Sequence, residues 1–344
     1  MPTKSKRKRA SDLRTLEQQY REQADVAERF SEEVSHQLDA LIERSGISLS
    51  FPVQRRVKSW VSIVEKLERL GLVLSNIGDL QDLIGFRIIL QFRRDIDIIC
   101  RLIADQFVVI DRYDTGDRLR EDQFGYSSVH FVIEVPSAWL AVPSFARLAG
   151  LKAEIQVRTT AQHIWAAASH TLQYKSEAAV PQPVRRAIHR VSALLETVDL
   201  EFERVLTERA SYKSEVQAAP LPADEPLNVE VIERVLDDVW PKENKKPGRE
   251  SYGVLAEELA QFDVTTSAQL RNLLKKHYQA VMREEESYVN RRQSGEPARA
   301  RRMQRRRVYF MHCGLTRIAL LKEFGKRWDD YQKRAIARLI APER

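Results

Sequence analysis

Cysteine is nearly absent: the chain has two in 344 residues, Cys100 and Cys313, and neither has a His or Cys neighbour at metal-ligand spacing. That excludes a disulfide framework and a zinc site, and predicts two buried thiols. Long hydrophobic runs are missing too. No stretch approaches the roughly 20 apolar residues that span a bilayer. The opening MPTKSKRKRA lacks the apolar segment of a signal peptide, so the expectation is a cytoplasmic protein with no membrane partner. Glycine is sparse, at 12 residues, and forms no Walker-type loop, which removes the P-loop reading of any phosphate chemistry.

What the chain has is charge and length. Charged residues make up 31% of it, and 56 Lys and Arg against 49 Asp and Glu leave a net +7. The excess is clustered at Lys4 to Arg9 and Arg291 to Arg307. Such runs bind polyanions, and a solvated helix face or a disordered tail gives the same pattern. The length allows one generous domain and a smaller second one.

Apolar residues from Leu13 to Ile42 recur three or four apart and predict an amphipathic helix over 11–45, closed by Gly46. A second helix is predicted over 54–70, a buried strand over 84–92 and a helix over 94–107. Strands follow over 108–113, 127–135 and 151–157, then helices over 159–175 and 184–216. The last of these has Ile188, Val191, Leu194, Leu195, Val198, Phe202, Val205 and Leu206 as its inner stripe. Three prolines in 218–226 suggest a linker. Helices over 229–240, 251–262, 266–282 and 303–340 complete the chain. The order predicts an α/β (α+β) domain with a mixed sheet flanked by helices and an additional all-helical C-terminal module. The expected partition is an N-terminal helical segment (1–50), the sheet domain with its trailing helices (51–217), a linker (218–228) and the helical module (229–344).

Four polar side chains, Arg56, Lys58, Ser62 and Lys66, sit at offsets of two, four and four. Cations and a hydroxyl presented together suit a polyphosphate, although a solvated helix face looks alike. Asp82 precedes Gly85 and Arg87 at the mouth of a strand, where a lone Asp commonly caps a turn. Glu154 is more telling, because a carboxylate inside the apolar strand Leu151 to Val157 is costly unless it is paired or binds a metal. Two carboxylates from neighbouring strands are the minimum hard-oxygen site for Mg²⁺. Gln156 alternates onto the face of Glu154, with Arg158 following. Gly125, Tyr126, Ser128 and His130 place a ring and an imidazole at a strand start, and Tyr126 reads as a stacking platform or a core aromatic.

In their joint order, Arg56 to Lys66 (R-x-K-x-x-x-S-x-x-x-K), Asp82 to Ile88 (D-x-x-G-x-R-I), Gly125 to His130 (G-Y-x-S-x-H) and Glu154 to Thr159 (E-I-Q-V-R-T) resemble the synthetase domain of the RelA/SpoT alarmone synthetases. His163, Trp165, His170, Tyr174 and Lys175 continue the likeness. It covers about half the chain and leaves out the C-terminal module. The resemblance implies a nucleotidyltransferase-like fold and transfer of the β,γ-pyrophosphate of ATP to the ribose 3′-hydroxyl of GDP or GTP, making (p)ppGpp. It implies that Asp82 and Glu154 hold Mg²⁺ and carry catalysis, with Glu154 also accepting the proton of the attacking hydroxyl, and that Arg56, Lys58, Ser62, Lys66 and Arg87 bind ATP. Tyr126, His130, Gln156 and Arg158 would bind the acceptor. With no hydrolase domain in front, the layout resembles a single-domain synthetase.

One departure bears on the acceptor. The stretch before the G-Y-x-S-x-H phrase is Arg120-Glu121-Asp122-Gln123-Phe124, acidic at its centre, where the family usually has a basic stretch that holds the acceptor's 5′-phosphates. Toxic members of the family pyrophosphorylate the 3′ end of tRNA, and the two basic patches would serve that partner. A catalytically inactive nucleotide sensor is the third reading. In the free-nucleotide synthetase the helical module is left for regulation or homo-oligomerisation, and in the toxin it would be a fused neutralising domain that covers the cleft.

Overall fold

The computed structural model describes residues 4–118, 128–172, 181–246, 248–291 and 308–340. Tertiary contacts group the chain into two units, Met1–Thr207 and Glu208–Arg344.

The first unit opens with α1 (Lys4–Ser45), which begins seven residues before the expected Ser11. Leu16, Ala27, Phe30, Val34, Leu38 and Ile42 are all buried, so one stripe of the helix enters the core. Fully burying each large member of that stripe stabilises the fold by about 1.5–3 kcal/mol.

The chain then departs from expectation. Residues 54–57 are not helical; Gln54–Val57 form β1, paired antiparallel with β2 (Ile84–Leu90) so that Arg56 lies opposite Gly85. Helical spacing alone could not see this partner, and pairing decides the state of so short a segment. The helix α2 starts only at Trp60 and runs to Leu70. Ser59 caps it by accepting a hydrogen bond from the Ser62 backbone N–H at 3.4 Å, and Gly71 closes it with φ 63°. Arg56 therefore projects from a strand, and Lys58 stands just ahead of the helix.

After β2 come α3 (Asp95–Gln106), β3 (Val108–Asp114), β4 (Val129–Glu134), β5 (Ala153–Thr159), α4 (Thr160–Leu172) and α5 (Gln182–Ala218). The strands form one mixed sheet in the order β1-β2-β5-β4-β3. Only β2 and β5 run parallel among the named pairs. Alternation sends Ile84, Phe86 and Ile88, Phe131 and Ile133, and Ile155 and Val157 to one face, where they join the α1 stripe and Ile99 and Ile103 of α3 in the core. The opposite face receives Gly85 and Arg87, His130, and Glu154, Gln156 and Arg158. Cys100 is buried as expected, and burial pushes its thiol up to about 11.

The inner stripe expected on α5 is a second correction. Ile188 is buried, but Val191, Leu194, Val198, Phe202 and Val205 are exposed. The helix meets the rest of its unit through Ile188 and Leu195 beside Trp165, through Asp199, which accepts from the Thr159 hydroxyl at 2.6 Å, and through Glu203, paired with Arg94 at 3.1 Å. Ile188, Leu195 and Phe202, whose ring meets that of Phe92 edge-on, keep part of the expected stripe inward, while Asp199 and Glu203 supply polar contacts the stripe did not include.

The second unit is helical: α6 (Val229–Val239), α7 (Tyr252–Ala260), α8 (Ser267–Arg291), α9 (His312–Phe324) and α10 (Lys326–Ile340). Its core centres on Val231, Val235, Leu255, Leu259, Leu270, Leu274, Leu315 and Ala319. The single helix expected to Ile340 is two, because Gly325 adopts φ 47°, ψ −121° between them. Buried Glu285 accepts from the Tyr309 and Phe310 backbone N–H groups at 2.5 and 2.9 Å and from Asn244 at 3.2 Å. Residues 218–226, which sequence suggested as a linker, are tied to the start of α8. The Ser267 N–H donates to the Glu225 carbonyl at 2.9 Å, and the Ala268 N–H to that of Ala223 at 3.1 Å. No helix among the described residues is long and apolar enough to cross a membrane.

Candidate active site

The site lies on the sheet face opposite the α1 core, and the strand register orders it. Across one row, Arg56, Gly85, Glu154, Val132 and Asp111 stand side by side. Gln54, Arg87, Gln156, His130 and Tyr113 form the next, and Ile89 lies opposite Arg158 in the register of β2 with β5. Gly85 leaves room in the first row. A Cβ there would stand 3.8 Å from the Arg56 side chain, in ordinary contact.

Asp82 gathers the first cluster. The Lys58 backbone N–H donates to the Leu83 carbonyl at 2.8 Å, which joins the end of β1 to the approach to β2. Lys58 then hydrogen-bonds one carboxylate oxygen of Asp82, and Lys66, on the first turns of α2, lies 2.8 Å from the other. Burial raises the pKa of Asp82, but hydrogen bonds from Lys58 and Lys66 outweigh it and hold the carboxyl below its ordinary value. Burial lowers the pKa of Lys58 despite the opposing pull of Asp82. Ser62 is exposed, with its hydroxyl 3.0 Å from that of Ser59.

Glu154 gathers the second. Its Oε1 accepts from the Tyr113 hydroxyl at 2.7 Å and from His130 Nδ1 at 2.8 Å, and its Oε2 from Gln156 at 2.9 Å. Burial pushes this carboxyl up, yet hydrogen bonds from His130, Tyr113 and Gln156 bring it down to about 2. On the other side of the ring, His130 Nε2 lies 2.6 Å from the Ser128 hydroxyl, a hydrogen bond that fixes the imidazole between Ser128 and Glu154. The Tyr113 ring stacks on the imidazole at 4.7 Å. Arg87 Nε donates to Gln156 Oε1 at 3.3 Å, linking this cluster to β2. Arg158 is buried on the same face, one alternation beyond Gln156.

Ten of the expected site residues thus fall on this face or at its edge: Arg56, Lys58, Ser62, Lys66, Asp82, Arg87, His130, Glu154, Gln156 and Arg158. Tyr126 lies outside the described residues, as do Arg120 to Phe124, Tyr174, Lys175, the 292–307 portion of the C-terminal basic run and the side chains of Lys4 to Arg9. Sequence reasoning missed Tyr113, whose role appears only once β3 is registered on β4. It also gave Ser128 no role, although the two-residue step to His130 put both on one face. No group of three or more metal-ligating side chains occurs among the described residues. Two carboxylates nonetheless suit Mg²⁺, which takes one or two from the protein and the rest of its shell from water and substrate phosphates.

Comparison with known proteins places the chain in a family. A family model described as a region found in RelA / SpoT proteins matches residues 55–179. The GTP pyrophosphokinase YjbM of Bacillus subtilis (strain 168) is 32% identical over 155 residues, 44% of this chain and 70% of that protein. YwaC of the same organism, also a GTP pyrophosphokinase, is 30% identical over 151 residues, 42% and 68% of the two chains. Among solved structures, small alarmone synthetase 1 from Bacillus subtilis bound to its product pppGpp aligns with TM-score 0.45 and 31% identity, covering 54% of this chain and 94% of that one. The chain belongs to the RelA/SpoT family of pyrophosphotransferases.

Proposed function

We propose that the protein moves the β,γ-pyrophosphate of ATP onto the ribose 3′-hydroxyl of GDP or GTP, producing (p)ppGpp. The acceptor oxygen attacks the β-phosphorus, the bond from that phosphorus to the α,β-bridging oxygen breaks, and AMP leaves. The observation that carries this is the pairing of a carboxylate held ionised, Glu154, with a cluster of cations at the neighbouring strand's entrance, Lys58 and Lys66 around Asp82.

In-line transfer at phosphorus needs positioning and charge neutralisation more than covalent help. Lys58, Lys66, Arg56 and Arg87 supply positive charge for the donor phosphates, with Ser62 as a hydroxyl contact. Asp82 and Glu154 would hold Mg²⁺, which neutralises charge on the transferring group. Attack releases the 3′-hydroxyl proton, and Glu154, ionised in the unliganded protein, would accept it as the bond to phosphorus forms. His130, Gln156, Arg158 and Tyr126 are assigned to the acceptor.

The test supplies purified protein and Mg²⁺ with γ-labelled ATP and GDP, GTP or tRNA in turn. Label on the guanosine nucleotides is the expected result. Label confined to tRNA would replace this acceptor with the 3′ end of tRNA, and no transfer to any of the three refutes the reading.

A further inference from the structure

A seam of apolar side chains on α5 is left unused by the unit that carries it. Val184, Val191, Val198 and Val205 recur at seven-residue intervals, and Leu194 stands one turn from both Val191 and Val198. At about 3.6 residues per turn they project within one narrow strip over roughly six turns. All five are exposed, Leu194 by 66%. Exposed apolar residues scattered singly need no partner, but a continuous line of them on one helix marks an interface. The adjoining side of α5 is already occupied: Ile188 and Leu195 pack beside Trp165, and Phe202 meets Phe92.

The order of charge along α5 selects what covers the seam. Residues 182–195 contain Arg185, Arg186 and Arg190 and no carboxylate, whereas residues 196–203 contain Glu196, Asp199, Glu201 and Glu203 and no Lys or Arg. Cations at the start of a helix oppose its dipole, so this order does not serve α5 in isolation. Two copies laid antiparallel bring the basic stretch of each to the acidic stretch of the other, and two laid parallel bring like charges together. Asp199 and Glu203 are engaged within their own chain, which leaves exposed Glu201 as the acid beside the seam. It stands 3.9 Å from Arg204, with both side chains more than half exposed, and so loose a pair is readily exchanged. Arg190, on the same edge of the helix, is exposed too. A lipid surface fits poorly, because acidic Glu201 and Glu208 share that edge.

We propose that α5 is the contact between two copies of this chain, antiparallel about a two-fold axis passing between Leu194 and Val198. That axis sets Leu194 against the partner's Val198 and Arg190 against the partner's Glu201, and symmetry makes each contact twice. Pairing of this kind is independent of the transfer chemistry, since none of these side chains lies on the sheet face that holds the site.

Sedimentation equilibrium of the full chain at about 10–100 µM, where an interface of about 800 Å² per copy or less would form, tests the contact. The wild type should show at least twice the monomer mass, and Leu194→Asp with Val198→Asp, both at exposed positions, should halve it. A wild type that stays monomeric over that range overturns the proposal, as does an undiminished mass in the double variant. Register is read by charge reversal. Arg190→Glu or Glu201→Arg alone should weaken association by about tenfold or more, since the axis repeats each clash. An equimolar mixture of those two variants should recover the wild-type affinity, because each copy then meets its complement at both crossings. Should Leu194→Asp with Val198→Asp fail to fold, the charge variants carry the test by themselves: affinities unchanged by either reversal, or a mixture no tighter than its components, overturn the antiparallel contact.

Discussion

Replacing Tyr113 with Phe removes one hydroxyl and keeps the ring that stacks on His130 at 4.7 Å. The lost contact is the 2.7 Å hydrogen bond to Glu154 Oε1, and a bond to a charged acceptor contributes about 1.5–3 kcal/mol. Glu154 retains His130 and Gln156 and its side chain is 12% exposed, so water recovers little, and about 1–2 kcal/mol of folding free energy should be lost at pH 7. The loss should depend on pH in a defined way. Glu154 lies near 2 against an ordinary 4.5, so it contributes about 3 kcal/mol that is fully present above the unfolded value. That contribution fades as pH falls from about 4.5 through about 2. Tyr113→Phe raises the folded pKa and shrinks the contribution, so the stability gap between wild type and variant should hold at higher pH and close only as pH falls below the variant's raised folded pKa toward about 2. Urea unfolding of both proteins at several pH values between about 7 and about 2 reads this directly. A gap that stays constant with pH, or no gap at pH 7, would refute the hydrogen-bond account of the Glu154 ionisation.

Glu154→Gln preserves shape and should lower transfer by about a hundredfold or more, with a circular dichroism spectrum like the wild type; activity within a few fold would remove Glu154 from the chemistry. Asp82→Asn leaves Lys58 and Lys66 half-buried without their carboxylate and should cost about 2 kcal/mol at pH 7, read by urea unfolding, and an unchanged midpoint would contradict it. In the helical unit, Glu285→Ala strands the backbone N–H groups of Tyr309 and Phe310 and should destabilise by about 2–3 kcal/mol, seen as an earlier melting transition. Cys100, its thiol pushed up to about 11 by burial, should react with a disulfide reagent at pH 8 only after unfolding; prompt native-state labelling of that residue by mass spectrometry would count against its burial.

How far the sequence could be read depended on the range of each signal. The mixed sheet was visible because Ile84 to Leu90 and Ala153 to Thr159 are apolar runs with one polar residue per alternation, a local pattern. The carboxylate at 154 stood out for the same reason. Segment 54–57 was misread because four residues have no period of their own, and their strand state comes from partners thirty positions away in β2. The α5 stripe was right at Ile188, Leu195 and Phe202 and wrong at Val191, Leu194, Val198 and Val205, because apolar spacing tells which side of a helix is greasy, not how much of it meets the core. Here Asp199 and Glu203 hold the contacts through Thr159 and Arg94. Tyr113 was invisible because only cross-strand register sets it beside Glu154.

Lys58, Lys66 and Asp82 neutralise one another, so that cluster can stabilise the fold in the absence of any nucleotide. Donor phosphates would replace the Asp82 carboxylate as the partner of both ammonium groups, and the exchange frees that carboxylate for a cation. Glu154 is likewise satisfied three times over. Arg158 is not, and its burial beside Arg87 opposes folding wherever no anion is present. Burial of its charge should therefore make Arg158→Met about as stable as the wild type or more so in urea unfolding at pH 7, and a loss of more than about 2 kcal/mol would show that the guanidinium stabilises the fold.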